Sequence, residues 1–268
     1  MSMNFQIVRY NFISQKVRKP LRIVMIADLH NQVYGLENTD LLTAIDTEQP
    51  DIILLPGDMI VCREKSERKN NRVTADTIRK MTEIAPVYYS YGNHERGLLE
   101  CVRETDGIWQ EYSQHLKGAH HLHMLVNVHE FLEPWNVCLY GLDLPRAYYK
   151  RLIKKPLRED VLTSMLGKMQ PDHCNVLLAH NPDYFRSYCT LHPDLIVSGH
   201  NHGGMIRIPG LGGVISPRLH PFPKYDYGVY ESADIKTKMV VTAGCGMHSI
   251  HIRINNPPEM VVIDVNKM

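Results

Sequence analysis

The feature that most constrains this chain is a unit that recurs along it. A short apolar run rich in β-formers ends, again and again, in a turn that carries a polar or ionisable residue. Leu21 to Ala27 runs into Asp28-Leu29-His30, and Asp51 to Pro56 into Gly57-Asp58. Pro86 to Tyr91 leads into Gly92-Asn93-His94-Glu95, Cys174 to Ala179 into His180-Asn181-Pro182, and Asp194 to Ser198 into Gly199-His200-Asn201-His202. Helical patterns lie between several of these runs: Asn38 to Thr47, Val73 to Ile84, Leu98 to Thr105, Ile108 to Leu116 with Gly118 as a stop, and Arg158 to Lys168. Strand, loop, helix, strand is the βαβ grammar of a largely parallel sheet covered by helices. The segment Leu122 to Leu142 reads as further strands, through Leu125 to Val128 and Val137 to Tyr140. Past Gly203 the helical patterns stop. Strands are expected at Met205 to Ile208, Met239 to Thr242, His251 to Ile254 and Met260 to Val265, and that half reads as antiparallel. An α/β fold of two mixed sheets packed face to face, with helices outside, satisfies both halves. No linker, repeat or low-complexity tract divides the chain, so residues 1–268 are expected to form one domain.

Composition removes several classes of function. Lys plus Arg number 30 and Asp plus Glu 29, a formal net charge of +1, so nothing global steers the chain to nucleic acid or an anionic membrane. Apolar runs are broken by Arg22, Asp28 or Gly57 well before the roughly 18 to 20 residues that a membrane span needs. Met1 to Tyr10 alternates apolar and polar residues and has no signal-peptide core. The six cysteines, Cys62, Cys101, Cys138, Cys174, Cys189 and Cys245, show no C-x-x-C pairing. They read as free thiols of a cytoplasmic protein.

The chemistry is expected where the turns converge, because open α/β sheets place their ligand crevice outside the carboxyl ends of the strands of one sheet. The candidates in chain order are Asp28, His30, Asp58, Asn93, His94, His180, His200 and His202. Residues two apart on an extended segment point to one side, so Asp28 with His30, and His200 with His202, can each present two donors to one point. Mixed carboxylate and imidazole donors without thiolate suit manganese, iron(II) or zinc. So many donors exceed one tetrahedral site, and two ions sharing a carboxylate is the natural division. Each block alone has a plainer reading. Asp-x-His and Gly-Asp are common turns, and Gly92 to Glu95 can start a helix with Asn93 as N-cap. Their joint occurrence, each after its own strand, selects the metal site.

Written as D-x-H, G-D, G-N-H-[DE], a lone H and G-H-x-H, the five blocks stand in the order of the calcineurin-like metallophosphoesterases, which this chain resembles between positions 28 and 202. The resemblance implies a four-layer α/β/β/α sandwich. It also implies one ion on Asp28, His30, Asp58 and His202, and a second on Asp58, Asn93, His180 and His200, with Asp58 bridging. Asn93 and His94 would be catalytic, His94 as the non-ligand histidine beside the scissile phosphate. Two divalent ions, manganese favoured over iron or zinc, would clamp a phosphoryl group and supply a bridging hydroxide for in-line attack on a phosphomonoester or phosphodiester. His94 would protonate the leaving oxygen. The implied partner is a small phosphoester, such as a nucleotide, a nucleotide-sugar lipid or a phospholipid, with no stable nucleic-acid partner.

The segment His200 to Ile208 and the tail Arg253 to Glu259 resemble the small bacterial phosphodiesterase-like branch, although Asn201 and Met205 depart from it. Two rivals are a non-catalytic scaffold of the same fold and a nuclease. The first typically lacks ligands or the histidine at position 94, and the second typically brings a basic groove or an added domain. Other features have structural readings. His115, His120, His121 and His123 fit a helix-to-strand turn at the surface, and Arg63, Lys65, Arg68, Lys69 and Arg72 a solvated loop. Arg146 to Arg158, with Tyr148, Tyr149, Arg151, Lys154 and Lys155, reads as a surface helix, and Met165 with Met169 as core-facing.

Overall fold

Each apolar run that precedes a site block becomes an interior strand. The computed structural model describes residues 5–61, 68–100, 107–150, 155–216, 221–234, 236–247 and 252–268. One sheet contains β1 (Gln6–Ser14), β2 (Leu21–Met25), β3 (Ile52–Leu55), β4 (Val87–Tyr89), β5 (Leu122–Met124) and β14 (Glu259–Lys267), ordered β1-β14-β2-β3-β4-β5. The other contains β6 (Val128–Leu132), β7 (Val137–Leu142), β8 (Cys174–Ala179), β9 (Leu195–Ser198), β12 (Gly228–Glu231) and β13 (Lys238–Val241), ordered β12-β13-β9-β8-β7-β6. A hairpin, β10 (Ile206–Ile208) with β11 (Gly212–Ile215), forms a separate small sheet. The helices are α1 (Thr39–Thr47), α2 (Arg68–Ile84), α3 (Asn93–Glu100), α4 (Ile108–Leu116), α5 (Glu159–Leu166) and α6 (Phe185–Cys189).

The central strands are apolar on both faces because both faces are covered. On β3, Ile53 and Leu55 face α1, α2 and α4, where they join Leu41, Ile45, Ile78 and Tyr112. The alternate residues Ile52 and Leu54 face the other sheet and meet Leu139, Val176, Leu178 and Val197. The outer face of that second sheet, through Tyr140, Leu177 and Ile196, packs on Leu162 and Leu166 of α5 and on Phe185 and Tyr188 of α6. The layers are therefore α/β/β/α, as expected, and both large sheets are mixed. Met165 and Met169 pack against the third cluster.

Several expectations need correction. The second half is not simply antiparallel. β13 runs parallel to β9, with Val240 opposite Val197, and β14 crosses back to the first sheet, parallel to β1 and antiparallel to β2. The long excursion between β9 and β13 allows that parallel return, which a tight hairpin forbids. Leu125 to Val128 is not one strand. There the chain passes from β5 to β6 and so from one sheet to the other, turning at Asn127 with φ 55° while its Oδ1 accepts from the Asp143 N–H at 2.9 Å. Ile254 makes only an isolated bridge to Ile206.

The 146–149 stretch is a short 3₁₀ turn with Tyr148 and Tyr149 buried, not an open surface helix. His123 lies in β5 and faces Glu130, Nδ1 to Oε2 2.9 Å. Cys138, Cys174, Cys189 and Cys245 are free thiols. Among the described residues, no helix is long and apolar enough to cross a membrane. The expectations for Cys62, Arg63, Lys65, Cys101, Thr105, Arg151, Lys154 and His251 fall outside the described residues.

Candidate metal centre

The site is assembled from both sheets, not from one. Asp28 and His30 follow β2, Asp58 follows β3, and Asn93 and His94 open α3 beyond β4. His180 follows β8, and His200 and His202 follow β9. The loops are laced by backbone hydrogen bonds: Asp28 N–H to Gly57 O (3.1 Å), His30 N–H to Asp58 O (3.1 Å) and Gly199 N–H to His180 O (3.1 Å). Two carboxylates add to the lacing. Asp28 Oδ2 accepts from His200 N–H at 2.9 Å, tying the sheets together, and Asp58 Oδ1 accepts from His94 N–H at 2.8 Å.

The expected extended presentation of Asp28 with His30, and of His200 with His202, is not what forms. All four residues, and Asp58, have left-handed backbones, with φ 52°, 46°, 72°, 48° and 55° respectively. Asp and His tolerate this conformation better than most residues, at a cost of about 1–2 kcal/mol each. Five such residues in one cluster concentrate backbone strain at the candidate site.

Ligand atoms gather into groups within 4.8 Å: Asp28, His30 and His202; Asp58, His180 and His200; and a third of His30, Asp58 and His94. Thus His200 and His202 belong to different groups. Within them, His202 Nε2 lies 3.5 Å from Asp28 Oδ1, His30 Nε2 lies 3.8 Å from Asp28 Oδ1 and 3.9 Å from Asp58 Oδ2, and His180 Nε2 lies 3.0 Å from Asp58 Oδ2. His94 belongs to the third group, with Nε2 4.0 Å from Asp58 Oδ2 and its ring edge-on to His30 at 4.7 Å between centroids. His180 Nδ1 faces Pro56 O at 2.8 Å, which fixes the ring and leaves Nε2 for the site.

Electrostatics follow from burial. Burial pushes the Asp28 carboxyl up to about 7, although His180 pulls it back. Burial acts the same way on Asp58, but His180 and His94 outweigh it and hold that carboxyl well below the usual range. Burial opposes charge on His180, yet the adjacent Asp58 lifts it to about 9. Two buried acids thus borrow imidazole protons as counter-charge. Glu95 supports them from behind: its carboxylate accepts from the N–H groups of Asp58 (2.9 Å), Met59 (2.8 Å) and Gly92 (2.9 Å) and from Tyr89 OH (2.8 Å).

The donors fit divalent cations on the chain's own geometry. Asn93 Oδ1 is buried without a hydrogen-bond partner, a cost of about 1–3 kcal/mol if nothing else satisfies it. The Nε2 atoms of His30 and His202 face each other at 3.1 Å, a hydrogen bond whose donor depends on the tautomer and a spacing at which both nitrogens can also turn to one cation. Tyr149, read from the sequence as part of a surface helix, lies with its ring 5.4 Å from that of His200, and sequence reading did not single out the Gly244-Cys245-Gly246 turn. In that turn Gly246 N–H donates to Asp28 O at 2.7 Å. The turn follows the apolar run of β13, the same grammar as the site blocks, and was legible on that ground.

Fold and site define a two-sheet α/β/β/α protein with a candidate pair of cation positions at the carboxyl ends of its strands. The chain belongs to the calcineurin-like phosphoesterase family, whose model matches residues 21–204. It is 27% identical over 258 residues to the uncharacterized metallophosphoesterase Cj0846 of Campylobacter jejuni, covering 93% of this chain and 60% of that protein. It is 26% identical to the uncharacterized metallophosphoesterase YkuE of Bacillus subtilis, covering 90% of this chain and 77% of the relative. Phosphodiesterase YaeI of Escherichia coli is 25% identical, with 97% and 88% covered. The chain therefore spans less than two thirds of the Campylobacter relative. The family implies a dinuclear divalent-metal site, and His and Asp residues able to form one are present.

Proposed function

We propose that the protein is a dinuclear metal-dependent phosphoesterase. In this reading Asp28, His30, Asp58 and His202 hold one divalent cation, and Asp58, Asn93, His180 and His200 hold the other. The observation that carries it is the pair of donor groups, one around Asp28 and one around Asp58, joined through the 3.9 Å approach of His30 to Asp58. The two cations, manganese first among the candidates, would supply Lewis-acid polarisation of a phosphoryl oxygen and acidify a water nucleophile.

The side chains do the remaining work. Asp28 and Asp58 neutralise part of the cationic charge and leave a net positive pocket for an anionic phosphoester. Glu95 holds the Asp58 loop in place. His94, anchored by its backbone on Asp58, offers Nε2 for proton delivery to the leaving oxygen. Small monoesters and diesters are the substrates proposed. The name of the Escherichia coli relative favours including the diester, and a net charge of +1 gives no general pull toward nucleic acid. Free thiols suit a cytoplasmic setting.

The test is turnover of a chromogenic monoester and diester by manganese-loaded protein, with metal content measured in parallel. Asp58→Ala is expected to lose metal and activity together. His94→Ala is expected to retain metal and lose about 10²-fold or more of turnover. Full activity in both variants overturns the assignments, and metal loss in His94→Ala makes that residue a ligand.

A further inference from the structure

The C-terminal segment 253–259 lies beyond residue 204, where the family match ends, yet two of its side chains reach back to the His202 loop and a third to the turn beside Asp28. Asn256, 3% exposed, commits its amide nitrogen to two buried carbonyls: Nδ2 donates to His202 O at 2.6 Å and to Gly204 O at 2.7 Å. Arg253 Nη2 donates to the carbonyls of Ala243 (2.8 Å) and Gly246 (2.5 Å) and lies 3.2 Å from His202 Nδ1. Glu259 Oε1 accepts from Thr242 Oγ1 (2.7 Å) and Ala243 N–H (3.0 Å). The turn so gripped abuts Asp28, because Cys245 N–H donates to Ala27 O at 2.9 Å and Gly246 N–H to Asp28 O at 2.7 Å. Pro257 and Pro258, with φ fixed by their rings, stiffen the span between the second grip and the third.

These contacts fall on one side of the centre. They hold His202 and the backbone of Asp28, both placed on the first ion. Of the residues placed on the second, His180 is held by Pro56 O and the Asp58 loop by Glu95, while His200, two residues before His202, is tied by its N–H to Asp28 Oδ2. We propose that segment 253–259 is a clasp chiefly for the first ion, with Asn256 and Arg253 as positioning residues for His202 and Asp28. The proposal rests on the two-ion reading above. Its physical basis is that a ligand loop released from its outer hydrogen bonds leaves buried carbonyls unpaired and lets the imidazole drift. Losing such a partner typically weakens metal affinity about ten- to a hundredfold. Asn256 gives the cleaner test. Arg253 also sets a positive charge near a dication, so removing it would loosen the loop and relieve repulsion at once.

The experiment is titration of the metal-free full-length chain with Mn²⁺, reading free Mn²⁺ by electron paramagnetic resonance and the metal-free melting temperature alongside. The unmutated chain is expected to bind two ions. Asn256→Ala should raise one dissociation constant about ten- to a hundredfold and leave the other within about twofold, with the metal-free melt lowered by several degrees for the carbonyls left unpaired. Introduced into His202→Ala it should add almost nothing, and into His180→Ala its full effect, as a mutational cycle on a shared partner requires. Asn256→Ser, which keeps one donor, should weaken the same ion by less, and it takes the place of the alanine variant if that chain does not fold. Equal weakening of both ions, weakening of neither, or an undiminished effect on top of His202→Ala overturns the clasp. A chain that takes up no Mn²⁺ at all defeats the two-ion reading first, and the two failures are distinguishable.

Discussion

A single methyl group is enough to test how tightly the two carboxylates are held. A Cβ on Gly199 would overlap Asp28 Oδ2, and one on Gly92 would overlap Asp58 Oδ1, so each carboxylate occupies the space of a missing side chain. Gly199→Ala is expected to push Asp28 out of its hydrogen bond to His200 N–H and weaken cation binding about tenfold or more. Metal content after dialysis checks it, and full retention would mean the loop can shift without consequence. A second residue-scale prediction concerns Asp143, at the end of β7. Its Oδ2 accepts from Arg96 Nη1 at 3.1 Å while Oδ1 is buried without a partner. Burial pushes this carboxyl up to about 6, with Arg96 opposing. An acid whose folded pKa is raised destabilises the fold once it ionises. The penalty is absent below the ordinary value near 4, grows as pH rises, and is complete above about 6. The stability of Asp143→Asn relative to the unmutated chain should therefore rise between pH 4 and pH 7, by on the order of 2 kcal/mol. Denaturant unfolding of both chains in chelator at the two pH values reads it, and a pH-independent difference would show that Arg96 already compensates the charge.

At the scale of elements, what the sequence revealed depended on burial. β3, β8 and β9 are buried on both faces, so their residues are apolar except for Asn175 and Ser198 and read directly as strands bounded by turns. β1 and β12 were missed because none of their residues is fully buried and the outward-facing ones dilute the pattern. The pairing of β13 beside β9 was not legible at all, since a strand's partner is decided by packing across the molecule and leaves no local mark. The site shows the same division. Asp28, His30, Asp58, His94, His180, His200 and His202 are named by motif, whereas the contacts of Asn256 with His202 O and of Tyr149 with the His200 ring are set only by the fold. α5 offers a control that separates element stability from site chemistry. Leu162, fully buried against the outer face of the second sheet, is remote in kind from any donor. Leu162→Ala is expected to cost about 2–5 kcal/mol in unfolding free energy while metal stoichiometry stays unchanged. A loss of metal in the folded variant would show that the helix layer transmits strain to the loops.

Across the whole molecule, the proposed cations would do more than chemistry, because their ligands come from opposite sheets. Asp28, His30, Asp58 and Asn93 belong to the first sheet, and His180, His200 and His202 to the second. An ion held by both exists only when the sheets are packed, so its binding free energy adds to the stability of that packing. With free metal at about a hundred times the dissociation constant, each site contributes about 2.7 kcal/mol. At a few degrees per kcal/mol for a domain of this size, chelation should lower the melting temperature by roughly 10–20 °C. Asp58→Ala, which removes the carboxylate shared by both ions, should melt at the same temperature with and without chelator. The loss should also be local. Amide exchange should accelerate in the 26–31 and 199–204 loops on chelation. It should stay slow at the opposite end of the sheets, where Lys16 Nζ holds Asp194 Oδ1 at 2.8 Å without any metal. Uniform acceleration along the chain would mean the ions stabilise the fold as a unit, and no change in melting would remove them from the fold altogether.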